Sequence, residues 1–169
     1  LALFDFCCAF PSLGHYWLHA VLKAKGFPIG FLLMVKQLYF LCFCYGSANG
    51  MLHFLWVVCC GVLQGCPLSG LLFSIAMDPF CYGFGGIEKK YNKNPERPLV
   101  CVRACADDVG SVIATLHMLH DFAVVFGSAA QHANLTLKHI KCVLVPLFAC
   151  LDDNIKKHVK AWLVKYLPH

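Results

Sequence analysis

Between Gln37 and Met77 the chain carries no Asp, Glu, Lys or Arg. A stretch of that length without charge either lies in a bilayer or is covered by protein. A spanning helix needs about 20 continuous apolar residues. Here the apolar runs are residues 38–45, 51–60 and 71–77, separated by Gly46-Ser47-Ala48-Asn49-Gly50 and by Gln64-Gly65-Cys66-Pro67-Leu68-Ser69-Gly70. Both breaks carry helix-stopping residues. The window is therefore predicted to form a hairpin about Asn49-Gly50, a dipeptide suited to tight turns, and then a helix opening at Pro67. A helical membrane protein is the rival reading, and one continuous helix through this window would be its mark.

The flanking segments alternate between strand and helix signals. Residues 1–6 read as a short buried strand with a single acid, Asp5. Ser12 is placed to cap a helix with Leu13, Trp17, Ala20 and Ala24 at helical spacing and Gly26 as its stop. Pro28 opens a second helix to about Tyr39. The helix from Pro67 runs toward Phe80, and residues 83–98, glycine-rich and then charged, read as a loop. Residues 99–106 and 109–114 are predicted strands around Asp107-Asp108. Residues 116–130 form a helix with Leu119, Phe122, Ala123 and Phe126 on one face. Residues 135–145 read as a strand ended by Pro146, and residues 154–167 as an amphipathic piece. The order implies an α+β fold, an antiparallel sheet with helices packed on one face. A chain of 169 residues, 59% apolar, fits one domain with a sizeable core.

The twelve cysteines form no framework. Cys7-Cys8 and Cys59-Cys60 are adjacent, Cys42 and Cys44 are one apart, and no matched pairs at zinc-ligand spacing occur. Most lie in apolar runs, where Cys acts as a small hydrophobe. The expectation is a reducing, intracellular setting, nuclear or cytoplasmic. The nine histidines are read as surface or core residues, not ligands. A net charge of +5 accords with a nucleic-acid partner. No basic segment followed by an apolar core and a cleavage site opens the chain. It starts on Leu1, not Met, so N-terminal neighbours are expected.

Acids are scarce, nine in all, and three sit where apolar strands tolerate them least. Asp5 lies in Leu3-Phe4-Asp5-Phe6, and Asp107 and Asp108 end the strand that runs from Val100. An unpaired carboxylate in such surroundings costs several kcal/mol. A divalent cation would compensate all three, since Mg²⁺ takes carboxylate and phosphate oxygens. Taken alone, Asp107-Asp108 reads better as an ordinary turn.

The acids do not stand alone. Phe4-Asp5-Phe6-Cys7-Cys8-Ala9-Phe10-Pro11 resembles the first palm motif of reverse transcriptases of non-LTR retrotransposon type. Gly61-Val62-Leu63-Gln64-Gly65-Cys66-Pro67-Leu68-Ser69-Gly70-Leu71-Leu72-Phe73 resembles the second, the Gln-Gly-x-Pro-x-Ser signature. Ala106-Asp107-Asp108 resembles the third, and Leu135-Thr136-Leu137-Lys138-His139-Ile140-Lys141-Cys142 the fourth. Lys165-Tyr166-Leu167 looks like the start of a Tyr-Leu-Gly element. The motifs follow the family's order and span nearly the whole chain, residues 1–169, as one palm domain.

The resemblance implies an RNA-directed DNA polymerase in which Asp5, Asp107 and Asp108 hold two Mg²⁺ ions, with Mn²⁺ possible. An RNA template, a DNA primer and deoxynucleoside triphosphates are the implied partners, with no membrane. It places Phe10 under the sugar, excluding a 2′-hydroxyl; a core Phe is the competing reading. Gln64, Gly65 and Pro67 would shape the turn against the template and nascent base pair, because Gly permits close approach and Pro fixes the first helical turn. Ser69 reads as a helix cap. Lys141 is either a cation near the leaving pyrophosphate or a solvent-facing strand Lys. Arg103 pairs with an acid or reaches nucleic acid. Cys105, Lys138 and Pro168 depart from the family pattern, which commonly has an aromatic residue, Asn and Gly there. Fingers are expected before Leu1 and a thumb after His169, so activity of these residues alone is not expected. A truncated or decayed copy without activity, and a palm that binds without turnover, are the other readings.

Overall fold

The computed structural model describes residues 1–147 and 152–166. In chain order the elements are β1 (Ala2–Phe4), α1 (Ala9–Ser12), α2 (His15–Ala24), α3 (Ile29–Leu38), β2 (Phe43–Ala48), β3 (Met51–Val57), α4 (Pro67–Tyr91), β4 (Val100–Cys105), β5 (Asp108–Ile113), α5 (Leu119–Ala133), β6 (Val143–Leu144) and α6 (Asp153–Tyr166). Two single 3-10 turns lie at Leu116–Met118 and His139–Lys141.

Four strands form one antiparallel sheet in the order β4-β5-β1-β6. Alternation along the strands gives it two unlike faces. Ala2, Val100, Val102, Val109 and Ser111 are buried under the helices. Phe4 joins them, its ring 4.8 Å from Phe126 and 5.7 Å from Phe122 of α5. On the other face Leu3, Arg103, Cys105, Asp108 and Val112 are exposed. The predicted α+β arrangement, helices on one face of an antiparallel sheet, is the observed one.

The central element is α4. Its buried residues Ser69, Leu72, Phe73, Ala76, Met77, Phe80, Phe84 and Ile87 recur at three- and four-residue steps and form a single stripe. This stripe packs against α2, α5 and β4. By length and composition alone α4 could cross a membrane. Residues 83–91 were expected in a loop, but the apolar period continues through Phe84 and Ile87 and the helix continues with it. Glycine is useful there: a Cβ at Gly83 would lie 3.2 Å from Val125, so the helices cross closely. The loop proper begins at Asn92, whose amide donates to the Val100 carbonyl while its Oδ1 accepts from the Leu99 and Val100 amides.

Three further expectations are corrected. Ser12 caps no helix. It ends α1, its hydroxyl donates to the Cys7 carbonyl, and α2 starts only at His15. The backbone between them is committed elsewhere, with Gly14 N–H donating to Ala133 O and Leu13 O accepting from Gly61 N–H. Residues 135–145 are not one strand but a bridge at Leu137, the 3-10 turn and then β6. Ser69 is buried inside the α4 stripe rather than capping it.

The uncharged window resolves as expected into a hairpin, β2 and β3 turning at Asn49-Gly50, followed by the start of α4. Asn49 and Gly50 both take positive φ, 52° and 76°, as this tight turn requires. The hairpin stands apart from the main sheet.

Candidate active site

Asp5 follows β1 directly. Continuing the β1–β5 register one residue beyond Phe4↔Val109 sets Asp5 beside Asp108. Ala106 and Asp107 form the turn between β4 and β5, closed by the Cys105↔Asp108 pair. Ala106 has φ 52° there, a left-handed backbone that costs an L residue about 1–3 kcal/mol. Such strain persists only where surrounding structure holds it, and it holds Asp107 and Asp108 at the sheet's end.

The other edge of β1 carries the fourth motif. Lys138 N–H donates to Asp5 O at 2.8 Å, Cys7 N–H to Thr136 O at 2.7 Å, and Phe6 bridges Leu137. Farther along, Leu3 pairs with Val143. Six steps from Leu137 to Val143 thus face three from Phe6 to Leu3, so three residues are looped out. They are the His139–Lys141 turn. This bulge interrupts the expected strand and tips Lys141 over Asp5, with Nζ 2.8 Å from Oδ2. Bulges commonly re-aim a side chain in this way.

Asp5 is largely covered, its side chain 19% exposed. Lys141 is held above the ordinary lysine range first by its hydrogen bond to Asp5, then by the Asp5 charge, with Asp107 and Asp108 adding to it. All three acids therefore act on one ammonium. They are not gathered into one donor group: among the described residues no set of three His, Cys, Asp or Glu is placed to hold a metal ion.

Phe10 lies under the second motif. Its ring stacks on Phe73 at 4.3 Å and 11°. With Leu63, Gln64, Gly65, Cys66, Ser69 and Gly70 it lines an open cleft of about 260 Å³. The Gln64 loop is fastened from both sides. Val62 N–H donates to Phe10 O and Gly61 N–H to Leu13 O, while Ser69 Oγ donates to Leu63 O at 2.6 Å. Gly65 takes φ 88°, and Pro67 occupies the first turn of α4. The structure thus brings Phe10, Gln64 and Gly65 to one cleft, with Pro67 at the helix start beside it.

No family model matches the chain. Over 102 residues, 60% of the chain, it is 35% identical to a 149 kDa protein of transposon TX1 from Xenopus laevis. The matching span is 8% of that protein. Among solved structures, the fold resembles apo telomerase from Candida tropicalis, truncated from its C-terminal domain, with a TM-score of 0.67 and 15% identity over 90% of this chain and 31% of that one. It resembles telomerase from Candida albicans, solved with a fragment of telomeric RNA, with a TM-score of 0.64 and 15% identity over 89% and 27%. The fold is reverse-transcriptase-like.

Several residues that hold this fold together do not stand out in the sequence. His15 Nε2 lies 2.7 Å from Gly61 O, and its ring packs 4.9 Å from Tyr39. Tyr39 is buried, its hydroxyl beside Ser69 and Leu63, and burial pushes its pKa up. No spacing in the sequence points to either, because both act across long chain separations. Ser69, read as a cap, donates back into the loop instead. Arg103 pairs with Glu88 at 3.6 Å, and Glu88 also accepts from Val102 N–H, joining α4 to β4. The Tyr-Leu element splits: Lys165 and Tyr166 end α6, and Leu167 lies outside the described residues.

Proposed function

We propose that this chain is the palm of a retroelement RNA-directed DNA polymerase, adding deoxynucleotides to a DNA primer 3′-hydroxyl on an RNA template. The observation that carries the reading is the Lys141–Asp5 ion pair at 2.8 Å, in the field of Asp107 and Asp108. Oxygen-only donors on neighbouring strand ends suit a hard divalent cation. Asp5, Asp107 and Asp108 would hold two Mg²⁺ ions, or Mn²⁺ in their place. Held by these carboxylates, such ions would supply activation of the primer hydroxyl and neutralisation of triphosphate charge.

The chain's own groups supply the rest. Lys141, kept protonated and more than half exposed, can turn from Asp5 toward a departing pyrophosphate and give it charge or a proton. Phe10, backed by Phe73, offers a rigid ring to the sugar of an incoming nucleotide. Gln64 and Gly65 face the same cleft, where a template strand and new base pair would pass, and Pro67 fixes the helix behind them. Template, primer and triphosphates would be aligned by fingers and thumb of a parent polypeptide, in an intracellular setting and away from membranes. A palm that binds nucleic acid without turnover is the second reading, favoured by the ungathered acids.

Primer extension decides between them. These 169 residues alone should not extend a primer, because alignment supplies up to about 7–11 kcal/mol of rate. A longer chain carrying fingers and thumb should do so, and Asp107→Asn should abolish synthesis while RNA binding persists. Synthesis by the Asp107→Asn chain would remove the assigned chemistry; no synthesis by any longer chain would favour the binding module.

A further inference from the structure

The β2–β3 hairpin has one irregularity, and it governs a single tryptophan. Phe43 pairs with Val57 and Cys44 with Trp56, but Tyr45 pairs with Phe54, so Leu55 is an extra residue on β3. In a regular strand Trp56, two residues on from Phe54, would share its face. With the bulge, Phe43, Tyr45 and Phe54 cluster on one face, their centroids 5.9 to 6.5 Å apart. Trp56 is turned to the opposite face with Cys44. Leu55 falls on that face too, its Cδ1 3.3 Å from where a Cβ on Gly46 would be.

Trp56 is 57% exposed. Among the described residues it stacks on no other ring, although the other hairpin aromatics pack on each other. It lines an open cleft of about 390 Å³ with Pro11, Val58, Cys60, Gly61 and Gln64. No lining residue is charged. Gln64 and Leu63 also line the cleft that contains Phe10, so the two clefts are neighbours that share this loop as a wall.

We propose that Trp56 is a stacking platform for an unpaired nucleobase of a single strand, one position before that strand reaches Gln64. The inference rests on the reading of the chain as a polymerase palm and adds to it a residue outside the recognised motifs. An uncharged cleft with an aromatic wall suits a base, not a phosphate. Stacking on such a wall tolerates any sequence because every base has a π-face, as a moving template requires. The bulge explains why the ring is aimed there and not into the hairpin's own cluster.

The test uses the 169-residue chain and fluorescein-labelled 12-nucleotide probes of mixed sequence: single-stranded RNA, the same strand as DNA, and the RNA duplex. Affinity is read by anisotropy across a salt series for the parent, Trp56→Ala and Trp56→Phe. Trp56→Ala should weaken single-strand binding by roughly 5- to 150-fold, the range of one lost base stack. Trp56→Phe should recover most of it. Duplex affinity and the slope of affinity against salt should not change, because no phosphate contact is lost. Equal weakening by RNA and DNA single strands identifies base stacking; weakening for one alone assigns the strand and still supports the platform.

Single-strand affinity within twofold of the parent in Trp56→Ala overturns the proposal and leaves the polymerase reading standing. Parallel loss of single-strand and duplex binding, unrescued by Phe, overturns it by making Trp56 a support of the hairpin. Self-association that vanishes in Trp56→Ala with RNA affinity unchanged gives the ring a protein partner, which also overturns it. A parent that binds no single strand overturns the platform, and primer extension by the longer chain then judges the polymerase reading separately.

Discussion

Lys141 reaches Asp5 only because three residues are looped out of the strand between Leu137 and Val143, which puts its Nζ 2.8 Å from Asp5 Oδ2. An ammonium and a divalent cation compete for the same carboxylate. Replacing Lys141 by Met should therefore tighten Mn²⁺ binding by the chain, seen as a lower dissociation constant in electron paramagnetic resonance titration. The same substitution in a longer, active chain should slow nucleotide addition, because the charge beside the leaving group is gone. Weaker Mn²⁺ binding in Lys141→Met would count against Asp5 as a ligand.

A Cβ on Gly61 would stand 2.5 Å from the Pro11 carbonyl oxygen, and its φ is 88°. Both steric overlap with backbone and left-handed strain oppose any side chain, so Gly61→Ala should destabilise the fold by about 2–5 kcal/mol. Gly65 shares the φ of 88° but has nothing within 4 Å. Gly65→Ala should cost only the conformational part, about 1–2 kcal/mol. Urea denaturation of the two variants separates close approach from backbone strain; equal losses would show that the Pro11 contact relaxes freely.

The end of α4 is tied to the start of α5 by Lys90 and Asp121, 2.7 Å apart. The hydrogen bond from Lys90 is the main cause that lowers the Asp121 pKa below 3.8, and its counterpart raises Lys90 above 10.5. A depressed carboxylate stabilises the fold above its unfolded pKa, and the benefit fades as pH falls through the folded value. The raised Lys90 stabilises below its unfolded pKa, and that fades as pH rises through the folded value. The parent should thus exceed Asp121→Asn in stability across the neutral range and lose the advantage at both extremes. Denaturation midpoints across pH measure this; a difference that persists in strong acid would point to packing instead of charge. The pair is exposed, so added salt should shrink the difference as well.

How much of this was legible depended on whether a feature is local. The hairpin at Asn49-Gly50 and the stop at Gly26 follow from backbone preferences of single residues, and both were read. The length of α4 is not evident locally, because Gly83, Gly85 and Gly86 suggest a loop; the stripe through Phe84 and Ile87, and the close crossing with Val125, outweigh them. The split at Leu13-Gly14 could not be read at all, since it depends on hydrogen bonds to Gly61 and Ala133. The site divides similarly. Residue types at Asp5, Asp107, Asp108, Phe10 and Gln64 stand out in sequence. The three-residue bulge that delivers Lys141, and the one-residue bulge that turns Trp56, are matters of register, which sequence alone does not reveal.

Phe10 lies parallel to Phe73, 4.3 Å away, and Phe73 is fully buried. A ring backed by an immovable neighbour cannot swing aside, so whatever enters the cleft beside Gln64 meets a fixed wall. If that wall excludes a 2′-hydroxyl, a smaller side chain should admit one. In the longer, active chain, Phe10→Val should lower the preference for deoxynucleotides over ribonucleotides by roughly 10- to 200-fold, the discrimination that a small change in pocket volume supplies. Phe73→Leu, which loosens the backing without touching the cleft, should move the ratio the same way by a smaller factor. The measurement is kcat/KM for each nucleotide pair, compared with urea midpoints of the same variants. Core packing alone would lower both variants' stability, because stacked rings and buried area are lost, and would leave the ratio where it was. Only a shift in the ratio makes Phe10 a selector of the sugar.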